Sequence, residues 1–236
     1  MIDRKNAFFR VGNVITGAML IIIVVGAFWT PFDPNAMDGA SKMLSPSLTH
    51  LLGTDNFGRD IFSRVVQGAG ATLLIAAASV AIGLVVGILL GGLTGWFGGW
   101  VDEVLMRFND SITAFPSILL ALVLVAIFGS GKYNIILALG VLFVPSFARI
   151  VRMEVARQKE LDYVRNARLM GVGDMRILFV HILPNIVPVL LSTVAIGFNN
   201  AVLAEASMSY LGVGVQPPDP SLGRMLYEAQ GYLLSA

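Results

Sequence analysis

Cysteine is absent from the 236 residues, so disulfides and thiolate-held metals are excluded. Histidine occurs twice, as His50 and His181, which fall on opposite sides of the membrane in the topology below, so no histidine metal site is available within this chain. Charge is scarce as well. Asp, Glu, Lys and Arg make up 13% of the chain, about half of the quarter that soluble domains carry. Neither sign dominates: the formal net charge is +1, which gives no basic footprint for nucleic acid. What is abundant is apolar. Hydrophobic residues reach 56% and the mean hydropathy is +0.78. Long uncharged runs at that composition mean an integral membrane protein, all-α and polytopic, with the lipid bilayer as its solvent.

Five uncharged runs predict spans at residues 11–29, 70–95, 111–131, 133–148 and 177–204, judged against the need for about 20 residues per spanning helix. The first run follows Arg4, Lys5 and Arg10. It is long for a signal-peptide core and no small-residue cleavage site follows, so it reads as an uncleaved anchor. Orientation comes from Lys and Arg. With the N-terminus in the cytoplasm, eleven basic residues fall inside and five outside. Residues 30–69 and 205–236 are then external segments, and 149–176 is a cytoplasmic loop. The chain reads as one transmembrane domain in a cell (inner or plasma) membrane. A sixth span is expected in the full protein after the Pro-rich stretch and the closing Gly231–Ala236.

The loop from Arg149 to Pro184 is the most informative stretch. It has no Gly or Pro between Arg149 and Met170 and is rich in Arg, Glu, Leu and Ala, which predicts a helix. Gly171 and Gly173 stop it, and Asp174 is placed to cap the next helix. Leu161, Val164, Leu169, Met170 and Val172 put apolar residues on this charged island. Such residues are expected to seat in a partner's groove, as an amphipathic helix does, with Arg157, Arg165 and Arg168 steering and pairing.

Gly83, Gly87, Gly91, Gly95 and Gly99 recur every four residues and predict a face on which another backbone approaches closely, within this chain or against another subunit. Gly53-Thr54-Asp55-Asn56-Phe57-Gly58-Arg59-Asp60 precedes Ile61, Phe62, Val65 and Val66. That stretch reads either as an amphipathic lead-in to the second span or as a solvated helix cap with local ion pairs. Ser192, Thr193, Asn199 and Asn200 are polar positions in the fifth span, candidates for a water-filled route or for interhelical bonds. Glu205 closes that span. Gly129-Ser130-Gly131-Lys132-Tyr133 is not a phosphate loop, because Ala126 stands where the first Gly belongs and no Ser or Thr follows the Lys. No nucleophile elbow and no intramembrane Asp pair occur, so no catalytic residue is assigned.

On these motifs the chain resembles the inner-membrane permeases of binding-protein-dependent ABC importers, in the dipeptide/oligopeptide/nickel group and on the side of its "C" permease. The family's cytoplasmic motif reads Glu-Ala-Ala, three residues, Gly, nine residues, Ile, one residue, Leu-Pro. Ala167, Gly171, Leu183 and Pro184 match it in spacing. Arg165 and Asn166 replace Glu and Ala, and His181 replaces Ile. Gly53–Asp60 (Gly53, Thr54, Asp55, Gly58, Arg59 and Asp60) and Ser209–Pro218 resemble signatures of the peptide subgroup. The resemblance implies a type I importer fold and a non-enzymatic transport subunit for di- or oligopeptides, with nickel or a metal chelate as the alternative and a passive channel or carrier as the rival class. It implies a coupling role for Arg165, Asn166, Ala167, Leu169, Met170, Gly171, Leu183 and Pro184. It also implies a second homologous permease, two ATPase subunits and an extracytoplasmic substrate-binding protein. ATP and Mg would bind the ATPases, leaving no cofactor on this chain.

Overall fold

The computed structural model describes residues 2–232, with side chains from Phe8 onward apart from Ala27. Residues 233–236 of the external segment expected at 205–236, and the side chains of Arg4 and Lys5, lie outside the described residues. The described chain is built of helices. In order they are α1 (Ile2–Phe28), α2 (Ile61–Phe97), α3 (Gly99–Thr113), α4 (Ser117–Phe128), α5 (Lys132–Lys159), α6 (Asp162–Leu169), the short α7 (Asp174–Arg176), a π-helical turn (Ile177–Ile182), α8 (Leu183–Tyr210), α9 (Leu222–Ala229) and a 3₁₀ turn (Gln230–Tyr232). Four of the helical stretches are long and apolar enough to cross a membrane, and a fifth span results if α3 and α4, bent by 91°, count as one. The chain divides into two compact units, Met1–Leu74 with Ser209–Ala236, and Ile75–Met208.

Three expected boundaries change. The span expected at 111–131 is broken before Pro116: α3 ends at Thr113, Ala114 is its C-cap, and Pro116 caps α4. The residue before a proline avoids the helical region, so helices end there. The span at 133–148 is not short, because its helix continues to Lys159. And Gly99 does not belong to the glycine stripe. Gly98 and Gly99 have φ of +64° and +52° and turn the chain between α2 and α3, a conformation that side chains rarely adopt.

The other four stripe glycines meet α5. A Cβ added at Gly83 would lie 2.6 Å from Phe143 Cβ, at Gly87 2.5 Å from Phe147 Cβ, at Gly91 2.3 Å from the Ala148 carbonyl oxygen, and at Gly95 2.6 Å from the Arg152 carbonyl oxygen. The stripe is therefore packing within this chain, backbone against backbone. It surrounds itself with a core of Trp96, Val151, Val155, Val164, Ala167, Ile177, Leu178, Ile182, Ile186 and Leu190. Within the other unit, α1 crosses α2 where a Cβ on Gly26 would clash with Val66 Cγ1 at 1.8 Å. The rest of α1 from Phe8 onward is almost wholly exposed, as an apolar helix facing lipid or another chain would be.

Gly91 and its neighbour Gly92 separate packing from helix propensity. Gly91→Ala should lower stability by about 1–3 kcal/mol through overpacking against α5. Gly92→Ala, whose Cβ would meet only Leu178 side-chain carbons at 3.6 Å and 3.9 Å, should be neutral or slightly stabilising. Thermal unfolding of the two variants in detergent checks this.

Candidate functional site: the charged elbow and the Gly53–Asp60 loop

The elbow does not form the single helix its composition predicts. α5 ends at Lys159, Glu160 closes it, and Leu161 is extended at φ −78°, ψ 151°. The break reorients the chain so that Val164 and Ala167, three residues apart on α6, enter the core beside Trp96, Val151 and Val155. Burial overrides propensity here. Val164 therefore belongs to this chain's own core, not to an anchor set for a partner. Leu161 is half-exposed, whereas Leu169 and Met170 are 86% and 77% exposed at the tip of the elbow. Gly171 follows with φ +79°, the left-handed turn that lets α6 end. Asp174 is the first residue of α7 and not its cap; Gly173 occupies that place without a side-chain bond.

The elbow's cations divide. Arg149 pairs with Asp110 at 2.6 Å and Arg152 pairs with Asp102, both on α3. Arg157 pairs back to Glu154 at 2.7 Å. Arg165 faces solvent with Glu160 at 3.6 Å and Asp162 at 3.9 Å, and Asn166 is exposed beside it. Arg168 lies over the Trp96 ring at 4.4 Å. Lys159 Nζ donates to the Trp96 carbonyl at 2.6 Å and sits 5.8 Å from the ring centroid. Trp96, 2% exposed, thus binds the end of α5 and the end of α6 at once. Sequence reading missed it. The signal was Trp96 near the end of an apolar run, with two cations, Lys159 and Arg168, downstream.

Leu183 is partly buried against the same core and Pro184 is exposed. Pro184 has no N–H to offer the carbonyl four residues back, and the chain widens into a π turn immediately before it. Leu183 N–H bonds five residues back, to Leu178, and Asn185 Nδ2 donates to the His181 carbonyl at 2.8 Å.

The Gly53–Asp60 stretch is a folded loop that leads into α2 at Ile61 and caps it, and the cap expected to be solvated is buried. Asp55 folds it: Oδ1 accepts from Phe57 N at 2.8 Å and Arg59 N at 3.0 Å, and Oδ2 accepts from Arg59 Nε at 2.6 Å. Thr54 Oγ1 donates to the Ser41 carbonyl and accepts from Leu44 N. Gly53 and Gly58 have positive φ, and a Cβ on Gly58 would collide with the Asp38 carbonyl oxygen at 1.8 Å. Arg59 and Arg64 are 2% and 1% exposed and converge on Glu228 Oε2 at 2.8 Å and 3.4 Å, while Arg224 Nε holds Oε1 at 3.1 Å. Asp60 caps α2, accepting Ser63 N at 2.8 Å and Ser63 Oγ at 2.7 Å, with His50 Nδ1 at 2.9 Å. Burial pushes its carboxyl up, but the bonds from Ser63 and His50 together outweigh that and hold it below the ordinary value of 3.8.

Of the four polar positions in the fifth span, Ser192 and Thr193 bond their own helix, donating to Pro188 O at 3.2 Å and Val189 O at 2.9 Å. Asn199 is exposed. Asn200 lines a cleft of about 390 Å³ with Ser117, Ser146 and Ser207. Glu205 is fully buried and does not face outward.

The family described as "Binding-protein-dependent transport system inner membrane component" matches residues 83–236. The chain belongs to this family. It is 40% identical over 228 residues to the glutathione transport system permease protein GsiD of Pectobacterium atrosepticum, covering 94% of this chain and 76% of that protein. To GsiD of Salmonella typhimurium it is 44% identical, covering 96% and 76%. To the dipeptide transport system permease protein DppC of Alkalihalophilus pseudofirmus it is 36% identical, covering 99% and 77%. A solved structure, "Inward facing conformations of the MetNI methionine ABC transporter", superposes with a TM-score of 0.59 at 23% identity, over 71% of this chain and 80% of that one. That likeness supports the fold alone: an all-α membrane permease of the type I importer kind.

Asp60 gives a signed pH test. Its lowered folded value means that its stabilisation is complete above the ordinary 3.8 and is lost as pH falls through the lowered value. Asp60→Asn should be less stable at pH 7 and should lack that acid-side loss. Thermal unfolding across pH in detergent reads both.

Proposed function

We propose that this chain is the permease subunit of an ATP-driven importer of di- or oligopeptides, forming half of a transmembrane route with a second homologous permease. Two ATPase subunits bind and hydrolyse ATP with Mg²⁺, and an extracytoplasmic binding protein delivers substrate. The bias of Lys and Arg supports the N-terminus and the elbow, 149–176, in the cytoplasm, and residues 30–69 outside. The names of the glutathione, peptide and dipeptide permeases it is similar to support the substrate class. The nickel or metal-chelate reading draws no support from them.

The observation that carries the coupling role is the division of labour along α6. Val164 and Ala167 root the helix in the core, while Leu169 and Met170 stand exposed at its end. Two large apolar side chains held out to solvent by a buried root fit a groove on a soluble partner. When ATP closes the ATPase pair, the helix moves with its groove. Its root transmits that displacement to Trp96 and the helices around it, favouring one of two permease states. Arg165, which replaces a carboxylate at that place in the motif, presents a positive charge to the groove.

Leu169→Ser and Met170→Ser together should abolish copurification of the ATPase subunits from detergent-solubilised membrane, with stability changed by no more than about 0.5 kcal/mol. Val164→Ser should instead lower stability itself. ATPase subunits retained by the double variant would overturn the docking assignment. Gly171→Val, strained at a φ of +79°, should leave membrane insertion intact and separate ATP hydrolysis from transport in reconstituted vesicles. Normal coupling there would count against the elbow as the lever.

A further inference from the structure

Most hydroxyls on the long membrane helices of the 75–208 unit bond their own helix. Ser79 donates to Ile75 O, Thr94 to Leu90 O, Ser192 to Pro188 O, Thr193 to Val189 O and Ser207 to Leu203 O. Each bond runs four residues back along the same helix, so no hydroxyl hydrogen is left facing hydrocarbon. Ser117 and Ser146 break that pattern. Among the described residues, neither they nor Asn200 make a side-chain hydrogen bond, and all three are exposed. They come from three different helices, α4, α5 and α8, and meet in one cleft of about 390 Å³, joined by Ser207. Unbonded polar groups against lipid are costly, which favours an aqueous or polar surrounding for these three side chains over hydrocarbon.

We infer that the cleft is a stretch of the substrate route that takes the uncharged amide backbone of a short peptide; this rests on the peptide-permease reading. Three hydroxyls and a carboxamide supply donors and acceptors together, as alternating N–H and C=O groups require. No lining residue is ionisable, so a charged terminus finds no counter-ion that would trap it, and passage needs binding weak enough to release. Leu139, Leu142, Phe143 and Met208 form the apolar wall against which side chains of varied shape can rest. The volume falls within the range of about 300–1,000 Å³ typical of small-molecule sites. Polar groups address what all peptides share, and the apolar wall tolerates what differs between them.

The absence of cysteine makes the test clean. Ser146→Cys, Asn200→Cys and, as a lipid-facing control on α8, Ile196→Cys are introduced singly into the assembled transporter in membrane vesicles. Modification of this chain by a cationic methanethiosulfonate is followed by mass spectrometry. The expected result is modification at 146 and 200 about tenfold or more faster than at 196, since the reagent does not enter hydrocarbon. Millimolar tri-alanine should slow it and an equimolar neutral sugar should not. Rates at 146 and 200 equal to that at 196 overturn the aqueous cleft. Reactivity in the isolated chain that vanishes in the assembly assigns the cleft to the partner permease and overturns it equally. Fast modification that tri-alanine leaves unchanged overturns the amide assignment. ATP-driven uptake of tri-alanine by the unsubstituted transporter is measured in the same vesicles. Its absence, with fast modification retained, counts against the peptide-permease reading and not against the aqueous cleft.

Discussion

The approach of α2 to α5 across four glycines is the constraint on which the 75–208 unit depends. Side chains would hold two helices about 8–10 Å apart. With hydrogen atoms on one face, the α2 backbone instead meets the carbonyls of Ala148 and Arg152 directly. The close fit fixes α2 from Gly83 to Gly95, so its final turn delivers Trp96 to Lys159 and Arg168. Without that approach Trp96 would stand off from the end of α5, and Val164 and Ala167 would lose the surface on which they pack. The elbow's shape is thus decided in the apolar run that precedes it by some sixty residues.

The two charged regions show opposite uses of ion pairs. In the Gly53–Asp60 loop Asp55, Arg59, Arg64 and Glu228 are largely shielded from water, where a lost partner is costly and geometry is fixed by direction as much as by attraction. In the elbow Arg165 and its acids are open to solvent, where a pair contributes little to stability and remains available to a partner. The chain spends rigidity where a fold must be held and leaves freedom where another surface must be met.

Periodic features were legible in the sequence. The spacing of Gly83, Gly87, Gly91 and Gly95 announced a close helix contact, and the apolar runs announced membrane helices. Gly99 kept the spacing without the role, because periodicity cannot register that the helix has already ended at Phe97. The break at Leu161 carried no Gly or Pro; it exists because Val164 and Ala167 gain a core made by residues far along the chain. Likewise nothing local to Arg149 and Arg152 showed that Asp110 and Asp102 on α3 would pair with them. Arg59 has a local partner in Asp55, but its other partner, Glu228, stands 169 positions away. Of the polar residues in the fifth span, local spacing could not distinguish Ser192, which bonds its own helix, from Asn200, which does not. Only the neighbouring helices do.

The π turn at Ile177–Ile182 has a consequence for how this chain tolerates length changes. A helix advances about 100° per residue, and a π turn absorbs one residue more than an α turn would. The wide turn therefore acts as a phase adjuster between the elbow and α8. Removing a single residue from it would let the segment relax into regular α-helix and leave the faces of α8 in phase, whereas relaxing to regular α-helix at unchanged length would rotate every face of α8 by about 100° relative to the elbow. Asn200 would swing away from Ser146, and Ile186 away from its core. One residue of length, invisible to composition and to hydropathy, sets which side of the last long helix looks inward.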